Sequence, residues 1–225
     1  MYFILQLQTI HYMLQIAHRG YSANYGDNNM ESFCQAIYHR FDMIELDIQL
    51  CKTGEIVIFH DTYLDGRAIC EYELKELLPM DIITLDDFFL DISPNLIKIF
   101  FDIKGSPDIA YPLIGLLSAL FENQQLRNIY ISGFDRHSIE TIHKTNLPIS
   151  LGLTTSNNFT LEQIEFLTKN LDFVCLHWTA LNHENIAFLK SKNKLVFSYT
   201  CENDSIYRAM KQYPLDGIVT NYPLE

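Results

Sequence analysis

Several features that would classify this chain quickly are missing from it. None of its apolar runs approaches the roughly 18 residues that a membrane-spanning helix needs. The N-terminus carries neither a basic leader nor a small-residue cleavage site. The five cysteines, Cys34, Cys51, Cys70, Cys175 and Cys201, are widely spaced and contain no C-x-x-C pair, which argues against a disulfide framework and against a thiolate zinc site. Positive charge is scarce, with 16 Lys and Arg against 28 Asp and Glu and a formal net charge of -12. A chain of that sign has no general basic face with which to displace counterions from nucleic acid. The expectation is a soluble, cytoplasmic protein with no nucleic-acid partner, in which any phosphate site is positive only locally.

No linker divides the 225 residues, which suffice for one substantial core. A single domain is expected over residues 14–225, preceded by a leading segment over residues 1–13. The apolar and aromatic run from Met1 to Tyr12 reads as a short leading strand, a cap over one end of the fold or dispensable sequence, with membrane association as the other reading, and Met13 could serve as a second start. Oligomeric state leaves no mark in the sequence.

The stretch from Ile44 to Asp61, IELDIQLCKTGEIVIFHD, organises the rest. Glu45 and Asp47 are two apart in an apolar run, so on a strand they project from one face. No Lys or Arg alternates with them, and buried carboxylates without a partner are costly, which favours a bound cation. A competing reading is an internal salt bridge with Lys104 or Arg19. After a turn near Lys52 to Glu55, the run Ile56 to Phe59 delivers His60 and Asp61. The connection is too short for a parallel crossover, so it reads as a hairpin that returns His60 to the level of the two carboxylates.

Upstream, Leu14 to Ala17 forms a brief buried strand ending in His18-Arg19-Gly20, where Gly allows close backbone approach and Arg offers a planar fork to phosphate oxygens. Asp27-Asn28-Asn29 can cap a helix over Met30 to Phe41. A longer segment, Tyr63 to Asp91, holds a helical piece around Glu71 to Leu78 and a capping box at Thr84 and Asp87, and should rim the site. The unalternated run Ile97 to Phe101 suits a parallel strand covered on both sides, and it delivers Asp102 and Lys104 on one face. Strand and helix signals then alternate to the end: strands at Asn128 to Ser132, Ile149 to Leu153, Phe173 to His177, Lys194 to Thr200 and Gly217 to Thr220, with helices between. About eight parallel strands with intervening helices predict an α/β fold, a (β/α)8 TIM barrel with a β-hairpin and short insertion after strand 2, whose sites sit at the C-terminal strand ends. His18, Asp47, Asp102 and Lys104 all lie at such ends.

These residues carry a resemblance. IAHRG (Ile16 to Gly20), DNNMESF (Asp27 to Phe33) and, most densely, ELDIQLCKTGEIVIFHD (Glu45 to Asp61) are similar in order and spacing to the motifs of the glycerophosphodiester phosphodiesterases, with weaker echoes in ITLDDFF, FDIKG, SGFD and the terminal DGIVTNYP. The resemblance implies a TIM barrel of the PLC-like phosphodiesterase superfamily that hydrolyses glycerophosphodiesters to glycerol 3-phosphate and an alcohol with one divalent metal. It places Glu45, Asp47 and Asp102 as metal ligands, His18 and His60 as the acid/base pair, and Arg19 and Lys104 at the phosphate. The residues suit those roles on chemical grounds: hard oxygen ligands fit Mg2+ or Ca2+, or Mn2+, and two imidazoles can remove one proton and supply another. Three carboxylates give -3, while a divalent ion, Arg19 and Lys104 give +4, which leaves about +1 for a singly charged diester. Asp27, if close, lowers that balance, and it reads as a supporting residue or helix cap.

The chain departs from the family's pattern in places. The third ligand is Asp102, in F-D-x-K, where most of the family carries Glu in E-x-K; the Asp is similar to that of the related sphingomyelinase D branch, so a phospholipase D-like lyase forming cyclic phosphate from lysophospholipids is the alternative activity. A non-catalytic barrel that binds phosphodiesters is the alternative from another class. The family's W-T-V-N appears as Tyr199-Thr200-Cys201-Glu202, with Tyr199 lining the pocket or packing in the barrel. His177 and Trp178 end the sixth strand and are left outside the site. The leaving alcohol, the choice of ion and the division of labour between the two histidines are not legible.

Overall fold

The computed structural model describes residues 12–224. Most of the expected leading segment lies outside the described residues; within them, the exposed Tyr12 hydroxyl donates to Asp42 Oδ1 at 2.7 Å.

Among the described residues eleven strands run in chain order: β1 Leu14–His18, β2 Met43–Leu50, β3 Ile56–Ile58, β4 Tyr63–Leu64, β5 Arg67–Ala68, β6 Lys98–Ile103, β7 Ile129–Gly133, β8 Ser150–Thr155, β9 Phe173–His177, β10 Leu195–Cys201 and β11 Gly217–Thr220. Eight of them pair in parallel in the order β1-β11-β10-β9-β8-β7-β6-β2, and β1 pairs with β2 to close the ring. The α-helices are α1 Ser22–Tyr25, α2 Met30–Tyr38, α3 Leu74–Leu77, α4 Leu85–Asp91, α5 Ala110–Leu120, α6 Asn123–Leu126, α7 Arg136–His143, α8 Leu161–Thr168, α9 His183–Ser191 and α10 Asp204–Met210. This is the (β/α)8 barrel that the alternating pattern predicts. Among the described residues no helix is long and apolar enough to cross a membrane.

Period-two alternation sorts each barrel strand into two faces. On β2, Ile44, Leu46 and Ile48 point outward into the layer beneath the helices, while Met43 points into the barrel. The barrel interior is plugged by rings: Phe100, Phe173 and Phe197 stack with Tyr130, the Phe173 centroid lying 5.3 Å from Phe100 and 5.1 Å from Phe197. Gly152 on β8 makes room for that plug, because a Cβ there would stand 2.4 Å from the Phe173 ring. The polar inward residues Glu45, Asp47, Asp102 and His18 therefore sit above an aromatic floor.

The expected hairpin forms. β3 runs antiparallel to the end of β2, pairing Ile58 with Ile48 and Ile56 with Leu50, and Phe59 donates its N–H to the Asp47 carbonyl at 3.1 Å. The β4–β5 hairpin, two short 3-10 turns and α3 make up the insertion, so the helical piece expected over Glu71 to Leu78 is broken into turns. Thr84 caps α4 with the reciprocal Thr84–Asp87 box.

One boundary moves. α2 stops at Tyr38 rather than Phe41, because Arg40 adopts the left-handed region at φ 61°. Its N-cap is Asn29, whose side chain accepts from Ser32 N–H, and not Asp27.

Candidate active site

Register brings the site together. His18 on β1 lies beside Glu45 on β2, and Asp47 lies beside Asp102 on β6. Glu45, Asp47 and Asp102 form the group among the described residues whose geometry could hold a metal, with one oxygen of each lying within 4.8 Å of the others, and all three residues are buried. They line a cavity of about 240 Å³ together with His18, Arg19, His60, Lys104, Phe134, Cys175 and Tyr199.

The basic side chains are shared out unevenly among the carboxylates. Arg19 Nε lies 3.1 Å from Asp47 Oδ2 and Lys104 Nζ 3.4 Å from Asp47 Oδ1, so the internal salt bridge that competed with the metal reading is present at Asp47. Burial pushes Asp47 up, but Lys104, Arg19 and a hydrogen bond from Asn28 outweigh it and hold the carboxyl below its usual range. Among the described residues Glu45 has no such ion pair. Burial and then the neighbouring Asp47 and Asp102 push its carboxyl well above the usual range, and among the described residues the Arg19 backbone N–H alone donates to it, at 3.0 Å.

Asp102 is intermediate. Lys104 donates to its Oδ2 at 2.6 Å, yet burial lifts its carboxyl to about 6 and its Oδ1 has no hydrogen-bond partner. An orphaned buried carboxylate oxygen beside an unneutralised glutamate is what an oxygen-ligated divalent ion would satisfy. The three residues fit a metal. Lys104, for its part, is held charged: burial favours its neutral form, and Asp102 and Asp47 overcome that.

Both histidines are oriented through Nδ1. His18 Nδ1 lies 2.6 Å from Asn221 Oδ1, just past β11, and His60 Nδ1 lies 2.7 Å from Asp61 Oδ1. In each ring this leaves Nε2 as the nitrogen free for substrate. Burial, followed by the charge of Arg19, lowers the His18 pKa to about 4.

The strand-end loop after β1 is built on close packing. Arg19 and Gly20 both adopt positive φ, 56° and 82°, and a Cβ on Gly20 would lie 2.4 Å from Ser32 Oγ. Ser32 Oγ in turn donates to the Arg19 carbonyl at 3.0 Å. The tight loop swings Arg19 back over the barrel, where Asp27 takes its Nη1 at 2.6 Å. Asp27 is thus a supporting residue of Arg19, one of the two roles its place in the sequence suggests.

All seven residues singled out from the sequence meet in one cavity. Four others support the site in roles that the sequence does not assign. Asn28 donates to Asp47 Oδ2 at 2.9 Å, Asn221 orients His18, Asp61 orients His60, and Gln49 ties down the hairpin end by donating to the Phe59 and Asp61 carbonyls, both at 2.8 Å. Asn28 lies within the DNNMESF motif and Asn221 within DGIVTNYP, so position marks them while residue type does not. Tyr199 lines the cavity, and His177 packs against its ring at 5.3 Å without lining the cavity itself.

Comparison with known proteins agrees with this geometry. The chain is 27% identical over 232 residues, 93% of its length and 94% of the relative, to a glycerophosphodiester phosphodiesterase of Caldanaerobacter subterraneus. It is 25% identical to one of Bacillus subtilis, covering 94% of this chain and 84% of the relative. Its fold matches a Thermotoga maritima glycerophosphodiester phosphodiesterase with a TM-score of 0.78 at 23% identity, over 94% of this chain and 95% of the other. It also matches an Oleispira antarctica phosphodiesterase solved with the product sn-glycerol-3-phosphate, with a TM-score of 0.81 at 20% identity over 93% of each chain. The family model for glycerophosphoryl diester phosphodiesterases covers residues 18–225, the whole of the site included, and the chain belongs to that family.

Proposed function

We propose that this chain hydrolyses glycerophosphodiesters to glycerol 3-phosphate and an alcohol in the cavity over its barrel. The observation that carries the reading is the pair of histidines, each anchored at Nδ1, lining one cavity with a buried carboxylate trio. Glu45, Asp47 and Asp102 would hold one divalent ion, Mg2+ or Ca2+, with Mn2+ also suited to oxygen ligands. Bound there, it supplies Lewis-acid stabilisation of charge on the phosphate oxygens. Arg19 and Lys104 supply the remaining positive charge to the phosphate.

The two histidines differ in the partner behind them. Asn221 presents an amide oxygen that only accepts, so His18 carries its proton on Nδ1 and offers the lone pair of Nε2. His18 is the base that takes the proton of the substrate hydroxyl as that oxygen bonds to phosphorus. Asp61 presents a carboxylate to His60 Nδ1, which leaves Nε2 to act as the donor. His60 donates its Nε2 proton to the leaving alkoxide as the second P–O bond breaks. Water then opens the cyclic phosphate with the roles reversed: neutral His60 takes the water proton, and protonated His18 returns its own to the ring oxygen.

The substrate is read as the deacylated diester and not a lysophospholipid. Five free thiols suit a reducing compartment, and we place the reaction in the cytoplasm. Residues 14–225 act in this reading as one unit. The test is product analysis by phosphorus NMR with glycerophosphocholine and lysophosphatidylcholine, with and without EDTA, for wild type and His18→Ala. Metal-dependent glycerol 3-phosphate that disappears in the variant supports the proposal. Accumulation of cyclic phosphate as the final product, or no turnover of any diester with Mg2+, Ca2+ or Mn2+, overturns it.

A further inference from the structure

Beside the reaction cavity lies an open trough lined by His60, Asp61, Thr62, Tyr63, Lys104 and Phe134. Two of its walls are large rings left bare: Tyr63 is 65% exposed and Phe134 55%. Neither belongs to a hydrophobic cluster of the described residues, and the proposed chemistry uses neither. Bare rings at the rim of a polar site gain nothing from packing, but their faces attract cations.

The Phe134 face is already turned towards positive charge, with Lys104 Nζ 5.3 Å from its centroid. That ammonium is itself offset by Asp102 at 2.6 Å and Asp47 at 3.4 Å. Asp61 adds a carboxylate whose side chain is 70% exposed, with Oδ1 engaged by His60. Lys104 and His60 are the basic residues of the trough lining, and each already faces a carboxylate. The whole chain carries -12, a field that disfavours anions and accepts zwitterions. The trough opens beside His60, the residue that protonates the departing oxygen in the proposed reaction.

We propose that the trough between Tyr63 and Phe134 is the subsite for a leaving alcohol bearing an ammonium group. The enzyme then prefers zwitterionic diesters such as glycerophosphocholine or glycerophosphoethanolamine over an anionic one such as glycerophosphoglycerol. The orientation of the substrate rests on the diesterase reading; the affinity of the trough for an ammonium group does not.

Two measurements test it. The first is kcat/KM for the three diesters with wild type, Tyr63→Phe, Tyr63→Leu and Phe134→Leu. Wild type is expected to favour the ammonium diesters by about tenfold, and either Leu variant to lower that ratio several-fold through KM, while Tyr63→Phe retains it. The choline and ethanolamine arms separate a quaternary from a primary ammonium, and a preference for either supports the subsite. Equal kcat/KM for all three diesters, or a ratio unmoved by both Leu variants, overturns it.

The second is binding to the Mg2+-loaded protein of choline and of its neutral isostere 3,3-dimethylbutan-1-ol, followed by NMR shifts. Choline is expected to bind several-fold more tightly, and the difference to vanish in Phe134→Leu. Equal binding overturns the subsite. If no diester turns over yet choline is still selected, the diesterase reading fails and the subsite stands.

Discussion

Asp47 and Asp102 are register partners on adjacent strands, yet basic side chains neutralise them unequally. Asp47 has Arg19 Nε at 3.1 Å and Lys104 Nζ at 3.4 Å, whereas among the described residues Asp102 has Lys104 alone, at 2.6 Å, and leaves Oδ1 unpartnered. The protein alone therefore does not complete the site, and its own stability should report a cation. Thermal unfolding with Mg2+ or Ca2+ at about a hundred times Kd should gain roughly 2.7 kcal/mol over the protein in EDTA. Glu45→Gln and Asp102→Asn should lose that increment. An increment that survives in both variants places the ion elsewhere.

His18 should cost the metal-free protein stability in mild acid. The His18 pKa is lowered to about 4 in the fold, by burial and then by Arg19, from 6.5. Below pH 6.5 the unfolded chain takes up a proton on this ring that the folded chain refuses until about pH 4. Stability from this group is thus complete above 6.5 and declines down to about 4. The raised carboxyls of Asp102, at about 6, and of Glu45 oppose it, so the measurement is the difference in urea unfolding in EDTA between wild type and His18→Gln, which should shift against wild type as pH falls across that window.

Asn221 sets how readily His18 accepts a proton. Asn221→Asp replaces an amide oxygen with a carboxylate and favours the imidazolium, so the acidic limb of kcat/KM should move to higher pH by about one unit. Asn221→Ala removes the anchor and should lower kcat by roughly a hundredfold with little change in KM. A profile unmoved in Asn221→Asp would show that the contact does not govern the base.

Gly20 admits no side chain. Its φ of 82° and the 2.4 Å that would separate an added Cβ from Ser32 Oγ both oppose Gly20→Ala. The substitution should cost about 2 kcal/mol or more in denaturant unfolding, since strain and collision add. Activity should fall with it, because the same loop aims Arg19 at the cavity.

Legibility in the sequence follows the distance along the chain between the residues that meet. Glu45 and Asp47 sit two apart on one strand and Asp102 and Lys104 on another, so period two alone puts each pair on one face, and the spacing to His60 allows only a hairpin. Asn28 and Asn221 do not stand out, because a lone asparagine reads equally as a cap or a turn residue, and its role depends on what it meets.

The sequence by itself determined the local periods, hence the barrel and the identity of the seven polar residues at its mouth. Tertiary structure decided which of them share charge. His18 finds Asn221 203 residues away, Arg19 reaches across to Asp47, and Tyr63 and Phe134 meet at one trough only because the ring of strands closes. Periodicity is a property of neighbours along the chain and survives in the sequence, whereas electrostatic neutralisation and burial depend on through-space neighbours, which exist only once β1 has paired with both β2 and β11.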